Sequence, residues 1–314
     1  MMKKIQTQRE KTMLDVLTRA GSFVAVIVLG YVLKRIGFFR ESDFTLLSKI
    51  TVRITLSAAI VSNFATNEID VSLLSLALLG LGGGLAYMAL GYWINRKRSR
   101  EDRAFAVLNL PGYNIGCFTM PFAQGFLGPM GVITCSLFDV GNAFVCLGGA
   151  FGVASIVKDG GRFSVKRIAK SLAKSVPFVC YIIMVPLNLL KVPIPGGVVS
   201  CARLIGDANA FMAMLMIGVG FKLGGDKSQI GQMVMLLSIR YGLAAVLALA
   251  FYFLLPFDLA IRQALVILVF SPIGMAAPGF TGELKGNVGL SSAMNSLSIV
   301  ISIVIIVTLL SVML

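Results

Sequence analysis

Two short segments carry the residue types best suited to chemistry. Asn109-Leu-Pro111-Gly-Tyr-Asn114-Ile-Gly116, followed by Pro121, interrupts one apolar stretch. Ser271-Pro272-Ile-Gly274-Met-Ala-Ala-Pro278-Gly279, followed by Thr281, interrupts another. Proline removes a backbone donor and glycine lets the backbone leave the helical region. Inside a bilayer the freed groups persist only where protein or a water-filled cavity surrounds them. The amides of Asn109 and Asn114 both donate and accept. A broken helix exposes the N-terminus of its second half, so free N–H groups and the positive dipole end face the gap. Two such ends around one point favour an anion such as a carboxylate. Asn109, Pro111, Asn114, Gly116, Pro121, Ser271, Pro272, Gly274 and Pro278 are therefore the expected substrate contacts.

Asp139 and Asn142 follow the first segment, three positions apart and so on one helical face. An acid deep in an apolar span is costly and commonly functional. Asp139 could bind a cation, carry a proton, or anchor unwound backbone. Asn295 holds the corresponding place after the second segment. Pro121 and Pro278 lie 157 positions apart, half of the 314-residue chain.

The elements that must position these residues are membrane helices. The chain is 57% hydrophobic and 13% charged, with a mean hydropathy of +0.89, which excludes a soluble domain. Ten spans are predicted, at about 14–36, 44–64, 71–94, 103–126, 130–156, 168–190, 197–221, 228–254, 259–282 and 287–313. The expected fold is an all-α polytopic membrane protein in one domain, 1–314. Its ten helices would form two inverted five-helix repeats, about 14–156 and 168–313, with broken helices 4 and 9 crossing. Five spans is an odd number, so the second half enters from the opposite side.

The formal charge of +14 points to topology, not to nucleic acid. The loops after spans 1, 3, 5, 7 and 9 hold seventeen Lys and Arg residues, from Lys34 through Arg98, Lys170 and Lys227 to Lys285. The alternate loops hold only Lys191 and Arg262. The positive-inside rule then places the odd loops in the cytoplasm and both termini outside, in a multi-pass inner or plasma membrane. The basic tail with Lys3, Lys4, Arg9 and Lys11 opposes that orientation, and the five loops outweigh it. The chain has no histidine and five cysteines without a CxxC pair, so neither a metal site nor a cofactor is expected, nor an enzyme's catalytic cluster.

Other charges have plainer readings. Arg203 and Asp207 are four apart, as in a helical ion pair. Lys49 and Arg53 would snorkel or line an inward-facing path. Arg240 lies deeper and would pair with an acid or contact an anionic substrate. Glu68 and Asp70 are expected in solvent. The Gly80-x-Gly82-Gly83-Gly84 run reads as close helix packing.

The motif Asn109-x-Pro111-x-x-Asn114-x-Gly116, with Pro121, Gly128, Asp139-x-x-Asn142 and the Pro272–Pro278 segment, resembles the auxin efflux carrier family over essentially the whole chain. That family includes bacterial carriers of malonate-like acids and the plant PIN carriers. The resemblance implies a scaffold of helices 1, 2, 6 and 7 with a homodimer contact. The other six would form a moving transport domain whose helices 4 and 9 cross beside the substrate. The expected activity is secondary transport of small organic anions by alternating access, in efflux or facilitated mode. The competing reading is a sodium- or proton-coupled carrier, or a cation/proton antiporter of the same fold. Such antiporters generally carry an Asp pair or an Asn-Asp pair here, and Asp139 has no adjacent acid.

Overall fold

The computed structural model describes residues 2–222 and 229–313, with side chains described from Leu14 onward. Lys227 and the side chains of Lys3, Lys4, Arg9 and Lys11 lie outside the described residues. Every regular element among the described residues is helical. In chain order these are α1 (Met2–Arg35), α2 (Asp43–Ile50), α3 (Ser57–Thr66), α4 (Ser75–Ile94), α5 (Arg100–Asn109), α6 (Met120–Phe122), α7 (Gly128–Phe144) and α8 (Ala150–Asp159). Then follow α9 (Val165–Lys174), α10 (Val176–Leu189), α11 (Gly196–Asp207), α12 (Asn209–Gly220), α13 (Ile230–Leu254), α14 (Leu259–Val269), α15 (Ala277–Glu283) and α16 (Val288–Met313). π-helical turns join α2 to α3 (Thr51–Leu56) and α7 to α8 (Val145–Gly149), and flank α6 (Ile115–Thr119 and Ala123–Leu127).

Seven helical runs are long and apolar enough to cross a membrane, and the pair α9–α10 raises this to eight. The chain is thus an all-α polytopic membrane protein. One run, Ile115–Asp159, is 45 residues long, about 68 Å if straight and over twice a hydrocarbon core. Gly128, at φ 64°, folds it back so that α7 packs along residues 123–127. The expected span at 168–190 is not one helix. α9 and α10 meet at an angle of 82°, because Ser175 is extended and Pro177 restarts the helix.

The breaks fall beside the prolines. α5 starts at a cap in which Ser99 Oγ accepts from the Asp102 amide at 3.0 Å, and it ends at Asn109, just short of Pro111. α14 ends at Val269 and α15 begins at Ala277. Pro278 sits in the first turn of α15, where a missing N–H costs nothing, whereas Pro121 lies in α6 between two π-helical turns of one continuous helical run. The interruptions are therefore at 110–114 and 270–276; Pro278 starts its second half, whereas Pro121 lies within the helical run that begins at Ile115.

Lipid offers no hydrophobic drive between helices, so close approach must come from small residues. A Cβ on Gly80 would lie 2.0 Å from the Phe138 carbonyl oxygen, and one on Gly141 would lie 1.8 Å from that of Ala77. These glycines seat α4 against α7. Gly218 against Ile27 seats α12 on α1, and Gly206 against Ala59 seats α11 on α3. The packing falls into two groups. One holds α1, α2, α3, α10, α11 and α12; the other holds α4, α5, α7, α8 and α13 to α16. α16 touches α1, and α7 touches α3 and α10, across the boundary.

Arg203 and Asp207 are both exposed, and among the described residues they form no ion pair. Lys49, Arg53, Glu68 and Asp70 are exposed. Asp70 caps the turn Val71–Leu74, and hydrogen bonds from Ser72 hold its carboxyl below the usual range.

Candidate functional site: a crossing of two broken helices

The two interruptions meet. Tyr113 and Ile273 form an isolated antiparallel bridge, and the Asn114 amide donates to the Pro272 carbonyl at 3.0 Å. The hydroxyls of Thr119 and Ser271 are hydrogen-bonded to each other. A stretched segment from each half thus supplies a partner for the other, as buried backbone requires.

Each segment is also held by the helix that follows it. Asn142 of α7 accepts from the Tyr113 amide at 3.0 Å and donates to the Tyr113 carbonyl at 2.9 Å. Asn295 of α16 donates to the Ile273 carbonyl at 3.0 Å, and Ser298 accepts from the Ile273 amide at 3.1 Å. Asp139 accepts from Asn142 at 2.8 Å and from the Tyr181 hydroxyl of α10 at 3.3 Å. One carboxylate oxygen thus accepts from Asn142 and the other from Tyr181, which favours anchoring among the roles open to Asp139.

Arg240 of α13 lies beneath the crossing, 1% exposed. Its guanidinium donates to the carbonyls of Leu110, Gly112 and Ser271, the last two at 3.0 and 2.8 Å. It lies 5.2 Å from the Tyr87 ring and 5.7 Å from the Tyr113 ring. Among the described residues no acid pairs with it, so the acid-pairing reading is overturned. The physical reason is local. Those carbonyls are the C-terminal, negative ends of α5 and α14, left without intrahelical partners. A planar fork of donors satisfies several of them at once. The crossing thus has a buried arginine holding its carbonyls on one side and the Asp139 carboxyl tied to Asn142 on the other.

The predicted residues divide by role. Asn114 is 6% exposed, and its side-chain nitrogen has no partner among the described residues. A buried donor left open is costly, so this amide is the group best placed to meet a ligand. Asn109 is fully buried instead. It donates to Thr281 at 3.1 Å and accepts from Ser291, tying α5 to α15 and α16. Gly116 makes room for Leu56 of the facing helix. Pro111, Gly112 and Gly274 close around Cys146. Pro121 is buried in α6.

Pro278 and Gly279 line a cavity of about 370 Å³ that runs between the two packing groups. Asn295, Met275, Lys34, Glu41 and Lys222 stand among its lining residues. Lys222 lies 3.4 Å from Glu41, and Lys34 donates to the Phe221 carbonyl at 3.0 Å.

Several polar residues were not singled out from the sequence. Thr55 donates to Asn209 at 3.0 Å, and Asn209 donates to Gln124 at 3.3 Å. The Thr51 hydroxyl is buried without a partner among the described residues. These residues connect the π-turn Thr51–Leu56 to α12 and to the turn after α6. Polar side chains within apolar spans were the available signal; Thr and Ser are too common in such helices for it to stand out.

Among the described residues no cluster of His, Cys, Asp or Glu could hold a metal ion. No protein-family model and no curated protein matches this chain.

Proposed function

We propose that the chain is a secondary transporter of small organic anions, working by alternating access at the crossing. The observation that carries this reading is the unpartnered Asn114 donor at a crossing built from two broken helices. Arg240 offsets both negative helix ends, the second halves begin there, and Asn114 presents an unpartnered donor. A carboxylate would meet that donor.

Counting α5 with residues 115–127 as one broken span, and α14 with α15 as another, gives ten spans. With α7–α8 as the fifth and α10 as the sixth, each half holds five. The mirrored tethering of Tyr113 by Asn142 and of Ile273 by Asn295 supports an inverted repeat. The two packing groups correspond to a scaffold of spans 1, 2, 6 and 7 and a mobile six-helix domain. Similarity to the auxin efflux carrier family, a homodimer through the scaffold, and a cell-membrane location with both termini outside belong to the same proposal. On that topology the cavity past Lys34 and Lys222 opens to the cytoplasm, and its cations attract anions.

The electrical driving force favours export. With the interior negative, each exported negative charge gains about 2.3 kcal/mol per 100 mV. The decisive measurement is uptake of labelled mono- and dicarboxylates by vesicles reconstituted with the purified chain, under an imposed potential. Potential-dependent carboxylate flux is expected. A robust proton flux on sodium addition, without carboxylate flux, would establish the cation/proton antiporter instead.

A further inference from the structure

α9 stands apart from the transport path. It lies at 82° to α10, so if α10 crosses the bilayer, α9 runs nearly parallel to the membrane plane. Its sequence, Val165-Lys-Arg-Ile-Ala-Lys-Ser-Leu-Ala-Lys174, is strongly two-faced. Leu172 is buried and Ile168 packs on the turn at Gly148. Lys166, Lys170 and Lys174 recur every four residues, which makes one stripe, and all three are exposed. Arg162 is exposed just before the helix. None of these four forms an ion pair among the described residues. Val165 is 69% exposed, and Phe163, whose ring edge lies beside Gly152 of α8, is 46% exposed, so both leave apolar surface next to the basic stripe.

Beside α9 lies a cavity of about 570 Å³ whose charged lining is Lys158, Arg162, Arg167 and Lys285 against Asp159 and Glu283. Arg167 is already committed to Glu283, and the lining keeps a net positive charge.

We propose that α9 and the loop before it bind the phosphate headgroups of anionic phospholipids. Lys166, Lys170, Lys174 and Arg162 meet the phosphates, and Phe163 and Val165 enter the boundary with the acyl chains. An in-plane helix with a basic stripe and apolar flank matches an anionic leaflet in both charge and depth. A soluble polyanion would satisfy the lysines and leave Phe163 and Val165 in water. The inference does not depend on what the crossing transports.

The test places the full chain in phosphatidylcholine vesicles doped with photoreactive phosphatidylglycerol and maps the labelled peptides. Label is expected in 162–174 and should fall more than about tenfold in K166Q/K170Q/K174Q. It should persist in K166R/K170R/K174R and fade in wild type as salt rises. Undiminished label in the glutamine variant, salt-independent label in wild type, or equal label from photoreactive phosphatidylcholine would overturn the proposal. Competition by an oligonucleotide or inorganic phosphate at equal charge would overturn it too, since it would remove the requirement for a lipid surface.

Discussion

Arg240 and Asn114 divide the work at the crossing between holding and meeting. Arg240 satisfies three carbonyls that no helix satisfies, whereas the Asn114 amide nitrogen satisfies none. Their substitutions should therefore separate. Asn114→Ala is expected to abolish carboxylate flux while thermal unfolding in detergent stays within a few degrees of wild type. Wild-type flux in that variant would remove Asn114 from the site. Arg240→Leu should cost about 3 kcal/mol or more, because buried carbonyls lose their donors. Arg240→Lys should fall between, keeping the charge but lacking the fork. Asn142→Ala frees both polar groups of Tyr113 and should cost about 1–3 kcal/mol. Its readout is the same unfolding midpoint.

At the scale of elements, the two breaks, the placing of Asn142 and Asn295 in the helices after them, and close packing at Gly80 were legible from residue type and depth alone. Proline and glycine in an apolar span have few other readings. What was not legible was partnership. Pro121 and Pro278 look like breaks in a sequence, yet Pro278 starts a helix and the helical run from Ile115 continues through Pro121 by way of π-helical turns. Arg240 invited an acid partner, and backbone carbonyls from residues 130 positions upstream and 31 downstream took that place. The right-angle turn between α9 and α10 was hidden because the basic helix and the apolar span run together without a gap. The glycines of α4 make the sharpest test of packing. Gly80→Leu would drive a side chain into the Phe138 backbone and should abolish monodisperse elution in detergent. Gly82→Ala, with nothing within 4 Å of its new Cβ, should elute and unfold as wild type.

Over the whole molecule, the two packing groups touch on one side through side chains and part on the other around the cavity. The touching side has Phe23 of α1 against Phe122 and Phe126, with ring centroids 5.2 and 5.9 Å apart, and Arg19 donating to the Gly125 carbonyl at 3.0 Å. If the groups slide during transport, these contacts must open. A disulfide between F23C and F126C, formed in a background with the five native cysteines replaced by serine, is expected to stop flux, and a reductant should restore it. Flux that continues in the oxidised protein would show that the groups do not separate there.

The carbonyl partners of Arg240 also bear on how the chain is made. Leu110 and Gly112 are synthesised well before α13, and Ser271 after it. A cation at the centre of an isolated span costs about 2.5–3.5 kcal/mol on insertion scales. α13, at a mean hydropathy of 2.0, is apolar enough to offset much of that. It need not leave the translocon bare, since two of its three acceptors are already waiting in the first half. When α13 is made, the first half already holds two of the three carbonyls that Arg240 engages, and only that of Ser271 is still to come.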